Sequence, residues 1–125
     1  EPRLGEHCRP DGASRPYVLV LSRPFMGTGS EELGKILIQA CINSLKETTP
    51  LPSCILFYNA GVTLACEDSP VLQALRELES RGVRMLVCGT CLDYYDLKPR
   101  LKAGRVSNMY DIMQTIASAG TVFTP

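Results

Sequence analysis

The chain is 125 residues long, 45% hydrophobic and 21% charged, and its 13 basic and 13 acidic side chains balance to zero net charge. Those values fit one globular domain with a buried core and exclude wholesale disorder. They leave no bulk charge to attract a nucleic acid or an anionic membrane, and no apolar run reaches the roughly 18 residues of a membrane span.

No signal peptide opens the chain. It begins Glu1-Pro2-Arg3 rather than with Met, which suggests a fragment of a longer protein or a processed one. Residues 1–16, rich in charge and proline, read as a flexible linker or arm, and 17–125 as the domain. The arm holds Cys8 and the single histidine, His7.

Tyr17-Val18-Leu19-Val20-Leu21-Ser22 is a near-continuous run of strand formers, as in a strand buried on both faces of a parallel sheet. A Gly-rich turn follows, Arg23 to Ser30. The third small residue of a dinucleotide fingerprint would fall where Glu32 stands, and Glu31 and Glu32 would repel a phosphate at the helix start. Ser30 instead reads as the N-cap of a helix over 30–46. Leu33, Ile36, Leu37, Ala40 and Cys41 form its expected core stripe. Ile38, Ile42 and Leu45 extend the apolar surface beyond one sheet contact, so a second subunit or late elements of the chain should cover them.

Cys54-Ile55-Leu56-Phe57-Tyr58 is the second strand, followed by a turn in which Asn59 and Gly61 suit positive φ. Ser69 and Pro70 open a helix over 70–81, with Val71, Ala74, Leu75 and Leu78 on one face and Gly82 at its end. The third strand, 83–88, stops at Cys88-Gly89-Thr90-Cys91, where Gly89 allows a tight turn, and Leu92–Tyr95 suits one helical turn. Lys98, Arg100, Lys102 and Arg105 make 97–105 a basic connection, offset by Glu67, Asp68, Asp93 and Asp96. Asn108 and Asp111 form a capping-box variant for a helix over 109–119. Met109, Ile112, Met113 and Ile116 should face the core, and 121–123 should form a last strand. The alternation implies an α/β domain with an open parallel sheet and helices on both faces.

Six cysteines, Cys8, Cys41, Cys54, Cys66, Cys88 and Cys91, do not resemble a secreted disulfide framework, which is shorter and loop-rich. Cys41 and Cys54 fall in helix and strand patterns and read as small buried hydrophobes. The expected compartment is therefore reducing and cytoplasmic. Right-handed crossovers bring the loops 23–30, 59–69 and 88–96 to the carboxyl edge of the sheet. That placement makes Cys88, Cys91 and Cys66 the candidate catalytic residues. Asn59, Gly61 and Tyr94 are the substrate-binding candidates beside them.

Several chemistries fit these thiols. In a sulfur relay, one cysteine carries a persulfide and a second resolves it as a disulfide. A thioredoxin-like dithiol would place Cys-x-x-Cys after the first main strand and ahead of a long helix. A zinc site wants four ligands where three thiols converge. Inert buried thiols are the structural alternative. With its one histidine in the arm, the chain offers no Ser-His or Cys-His pair.

Phe57-Tyr58-Asn59-Ala60-Gly61-Val62 and Cys88-Gly89-Thr90-Cys91-Leu92-Asp93-Tyr94-Tyr95 resemble the DsrE/DsrF-like sulfurtransferase-related family, as does Gly27-x-Gly29 with Glu31-Glu32-Leu33-Gly34. Within it the chain is most similar to the C-terminal domain of YedF-type proteins, associated with selenium metabolism. The resemblance covers about residues 17–120. It implies a three-layer α/β/α sandwich around a mainly parallel sheet. It also implies a sulfur-carrying cysteine at the end of the third strand, which matches Cys88; Cys91 and Cys66 are additional to that pattern, and their expected approach to Cys88 at the sheet edge makes them candidates to resolve the load. The implied partners are sulfur or selenium donor and acceptor proteins, including a TusA-like domain, and further copies of the chain in a homo-oligomer. Cys8-Arg9-Pro10-Asp11 does not supply the Cys-Pro-x-Pro motif of such a domain. No cofactor, metal, nucleic acid or membrane is expected. The expected function is a cysteine-based sulfur or selenium relay, or sulfurtransferase-like carrier. The alternative is a non-catalytic assembly module with structural thiols.

Overall fold

The computed structural model describes residues 17–125, and the expected arm with His7 and Cys8 lies outside the described residues. Three apolar strands form the centre: β1 (Tyr17–Leu21), β2 (Cys54–Phe57) and β3 (Arg84–Cys88). They pair in parallel, with Val20 opposite Leu56 and Leu56 opposite Leu86. β4 (Arg105–Ser107) joins β3 and β5 (Thr121–Phe123) joins β1, both in parallel, so the order is β4-β3-β2-β1-β5. Val18–Leu21, Ile55–Phe57 and Met85–Val87 are buried along their whole length, as strands covered on both faces must be.

Four helices supply the cover: α1 (Glu31–Leu45), α2 (Leu72–Ser80), α3 (Gly89–Tyr94) and α4 (Met109–Ser118). From β1 through β4 the chain steps one way across the sheet, and right-handed crossovers put α1, α2 and α3 on one face. The return from β4 to β5 crosses the whole sheet and puts α4 on the other. The result is the expected three-layer arrangement. No helix among the described residues is long and apolar enough to cross a membrane.

The caps follow the sequence. Ser30 Oγ accepts from the Leu33 N–H at 3.1 Å, and Asn108 Oδ1 from the Asp111 N–H at 2.8 Å. Gly82 closes α2 at φ +99°, a value a side chain resists. α2 begins at Leu72, because Ser69 spends its hydroxyl on a local turn, accepting from the Val71 N–H at 3.2 Å.

Other expectations need correction. The stripes of α1 are exchanged. Ile38, Ile42 and Leu45 are buried in the domain's own core beside Gly34, whereas Leu33, Ile36 and Leu37 keep between 40% and 60% of their surface exposed. Both stripes have helical spacing. Gly34 decides between them: a Cβ there would meet the Phe25 Cβ at 2.7 Å, so only a glycine lets this side of the helix press on the preceding loop. On α4, Ile112 and Thr115 are buried and Ile116 is half-buried, but Met109 and Met113 are exposed. The basic connection contains β4, whose Arg-Val-Ser sequence carries no apolar run. Its offsetting charges do pair, Lys98 with Asp93 at 3.1 Å and Lys102 with Glu67 at 3.5 Å.

Asn59–Ala65, read as a turn, is a 3-10 helix. Asn59 takes φ +50° as expected, but Gly61 stays out of that region. Gly61 is required for another reason: a Cβ on it would fall inside the backbone carbonyl of Leu21, at the end of β1. Gly61→Ala must therefore push the loop after β2 away from β1. The expected loss is about 1–3 kcal/mol or more, read as a lower denaturant midpoint, whereas Gly27→Ala, with open space around it, should cost about 1–2 kcal/mol for its φ of +83° alone.

Candidate thiol site at the carboxyl edge

β2 and β3 end side by side, with Phe57 opposite Val87. The segments leaving them, the Asn59–Ala65 turn and α3, are in contact. Cys88 is the last residue of β3 and the N-cap of α3, and Cys91 lies one turn on. Gly89 between them is helical rather than left-handed. It is needed for space, since a Cβ would meet Val106 Cγ1 at 2.9 Å and the Ser107 carbonyl oxygen at 3.2 Å on β4. Leu92, fully buried, anchors the helix, and its carbonyl accepts the Leu97 N–H at 2.8 Å.

The two thiols face different surroundings. Cys88 is only 3% exposed, enclosed among core side chains. Cys91 is half-buried and lines a cavity of about 410 Å³ with Asn59, Thr90, Tyr94 and Tyr95. Its Sγ accepts the backbone N–H of Asn59 at 3.1 Å. The Asn59 side chain accepts from the Tyr95 hydroxyl at 3.1 Å, and Tyr95 packs edge-on against Tyr94 with ring centres 5.2 Å apart. Tyr94 is 82% exposed at the rim. Burial pushes the Cys91 thiol above the ordinary cysteine range, and the neighbouring Cys88 pushes the same way. The Asn59 N–H pulls it back by stabilising the thiolate. Cys88 and Cys91 stand as N-cap and third residue of α3, a spacing that sets the two side chains on neighbouring positions of one turn.

Of the sequence-derived candidates, the structure brings together Cys88, Cys91, Asn59 and Tyr94. Cys66 stands apart from them. It is buried, its thiol donates to the Val62 carbonyl at 3.3 Å, and the backbone beside it bridges to Leu101. Burial first, and then the Glu67 charge, raise its pKa. Neither a hydrogen bond nor a charge interaction joins it to Cys88 or Cys91 among the described residues. Both leave the same sheet edge, but Cys66 lies at the far end of the 3-10 turn while Asn59 begins it. Gly61 does not line the cavity and acts through its contact with β1. No group of three or more His, Cys, Asp or Glu among the described residues has the arrangement of a metal site. Sequence reasoning missed Thr90 and Tyr95. Tyr95 stands four residues after Cys91, a spacing that puts both on one helix face.

The family model of the DsrE/DsrF-like family matches residues 13–125. No curated protein matches the chain. Among solved structures, the fold is similar to that of the ychN protein from E. coli, with a TM-score of 0.68 at 18% identity over 88% of this chain and 98% of that one. It is also similar to MTH1491 from Methanobacterium thermoautotrophicum, titled a protein of unknown function, with a TM-score of 0.64 at 18% identity over the same shares of each chain.

The geometry predicts the order of thiol modification. In the native protein, iodoacetamide should label the half-buried Cys91 and Cys41 ahead of the other thiols of residues 17–125, with Cys88, Cys54 and Cys66 protected until unfolding. Because the raised pKa of Cys91 leaves the thiol form dominant at neutral pH, its labelling rate should keep climbing with pH beyond the point where an ordinary exposed cysteine levels off. Peptide mass mapping across a pH series measures both.

Proposed function

The chain belongs to the DsrE/DsrF-like family, and from that premise we propose that it is a cysteine-based carrier of sulfane sulfur whose loading residue is Cys91. The observation that carries the reading is the 3.1 Å contact from the Asn59 N–H to a half-buried Cys91 Sγ, at the wall of a cavity large enough for a small thiol or an extended peptide tip. The Cys91 thiolate attacks the terminal sulfur of a donor persulfide. The donor's S–S bond breaks, its thiolate departs, and Cys91 becomes a persulfide. The Asn59 N–H supports negative charge on Sγ before attack, a charge-assisted bond stronger than a neutral one. The resemblance favoured Cys88 as acceptor, but at 3% exposure that thiol cannot meet a donor without opening the core.

The reading places the protein in the cytoplasm, where thiols stay reduced. The similarity to YedF-type proteins adds selenium as an alternative cargo and a TusA-like domain as a partner. It also includes self-association. Leu33, Ile36 and Leu37 on α1, Met109 and Met113 on α4, and Val122 and Phe123 on β5 are exposed apolar side chains on the two faces and the β5 edge, which further copies of the chain would cover. A sedimentation experiment should find an oligomer, and a monomer at high concentration contradicts this part of the reading.

The carrier step is tested by mixing reduced protein with glutathione persulfide and following glutathione release. Wild type should consume one equivalent per chain, Cys66→Ser likewise, and Cys91→Ser none above background. Normal consumption by Cys91→Ser, or its loss in a folded Cys88→Ala, overturns the assignment to Cys91. Normal consumption by a chain lacking Cys66, Cys88 and Cys91 leaves the assembly-module alternative in its place.

A further inference from the structure

The site contains a second thiol that loading does not use. Cys88 is the N-cap of α3, one helical turn before Cys91 at the third position of the helix, and is closed to solvent. A thiol closed to solvent reacts with what the fold places beside it, and the helical turn places Cys91 there. Resting on the carrier reading, we propose that Cys88 discharges Cys91 internally, releasing the load as free hydrosulfide and leaving a Cys88–Cys91 disulfide that a dithiol reductant reopens.

The step balances. The Cys88 sulfur attacks the Sγ of Cys91, the inner sulfur of the persulfide, and the Cys88 proton passes to the anionic outer sulfur. The bond from that Sγ to the outer sulfur breaks, and the outer sulfur leaves with the electron pair as hydrosulfide. The sulfane sulfur is reduced to sulfide, and the two cysteine sulfurs are oxidised together to a disulfide. One dithiol then restores both thiols by exchange.

Two features of the site direct the attack to the inner sulfur. Exchange runs faster when the departing sulfur is the stronger acid. Hydrogen sulfide is a stronger acid than an alkyl thiol, and the Cys91 thiol is raised further by its burial and by Cys88. Expelling hydrosulfide is therefore favoured over attack on the outer sulfur, which would expel the Cys91 thiolate and only move the load onto Cys88. The second feature is spacing. Cys88 is the N-cap and Cys91 the third residue of the helix, a placement that keeps the side chains adjacent across a single turn. Cys66, tied to the Val62 carbonyl, does not compete.

The partner class changes accordingly. A relay needs an acceptor protein whose cysteine enters the cavity. Internal discharge needs only a thiol reductant and delivers a small diffusible anion, which suits a consumer that takes sulfide itself. A selenium atom in the same position would leave as hydroselenide by the same balance.

The experiment is a single loading under anaerobic conditions, so that oxygen forms no disulfide. Wild type and Cys88→Ala are pulsed with glutathione persulfide, desalted, and followed by intact mass and by sulfide assay without added thiol. Wild type should release one equivalent of hydrosulfide and end two hydrogens lighter than the reduced chain, with a Cys88–Cys91 link in the peptide map. Cys88→Ala should hold one extra sulfur on Cys91, its loaded form living at least roughly tenfold longer, and release sulfide when dithiothreitol is added. Cys88→Ser repeats the test in case the alanine variant does not fold. A wild-type load as long-lived as that of the variants, with no hydrosulfide, overturns internal discharge and leaves the carrier reading intact. If the folded proteins take up no sulfur at all, the carrier reading fails and the discharge step falls with it.

Discussion

The parallel register of β1, β2 and β3 is the constraint on which the thiol site depends. Phe57 lies opposite both Leu21 and Val87, so the three chains leave the sheet at one level. Both faces of β2 and β3 are buried, so a slip of one residue would exchange side chains between the two packed layers and break the interlocking of each, which fixes the register energetically. The same slip would carry the Asn59 N–H away from Cys91. The chemistry is thus set by a packing decision made in the core. Gly61 extends that decision beyond the strands by letting the loop after β2 lie against the Leu21 carbonyl, where any side chain would lift it.

The second consequence of the sheet edge is the unequal exposure of two thiols three residues apart. Cys88 belongs to the strand and inherits the burial of the core, while Cys91 belongs to the helical turn and opens on the cavity. The chain thereby builds an outer sulfur at the wall of the cavity and an inner one enclosed in the core. β4 contributes to this although it carries no functional side chain. Its Val106 and Ser107 press on Gly89, and so fix the direction in which α3 leaves β3.

Much of this was legible in the chain. The three central strands, their parallel order and the caps at Ser30 and Asn108 were readable, because apolar runs and capping residues act locally. The convergence of Asn59 with Cys91 followed from the handedness of parallel crossovers. Three features were not legible, each for its own reason. Both stripes of α1 have helical period, and the choice between them rests on a contact from Gly34 to Phe25 that no periodicity reveals. β4 is a three-residue edge strand held by its neighbours rather than by its own composition. The separation of Cys66 from the other thiols depends on the 3-10 turn over Asn59–Ala65, which sets its two ends apart, and a sequence of small and apolar residues reads equally well as a loop.

Asn59 shows how tightly backbone and chemistry are joined here. Its φ of +50° is a conformation that asparagine tolerates better than most residues, since its short side chain finds local partners. That conformation aims its N–H at Cys91 Sγ, and its side chain accepts from Tyr95 one helical turn beyond Cys91. Glycine would keep the backbone and the N–H while releasing Tyr95. Aspartate would keep the geometry but set a carboxylate near the sulfur, opposing the thiolate that the N–H favours. A residue without tolerance for positive φ would lose all three. Asparagine is the side chain that holds the turn, the sulfur and the tyrosine together without adding charge, so the identity of this one residue follows from the conjunction of strain, hydrogen bonding and thiol acidity at the edge of the sheet.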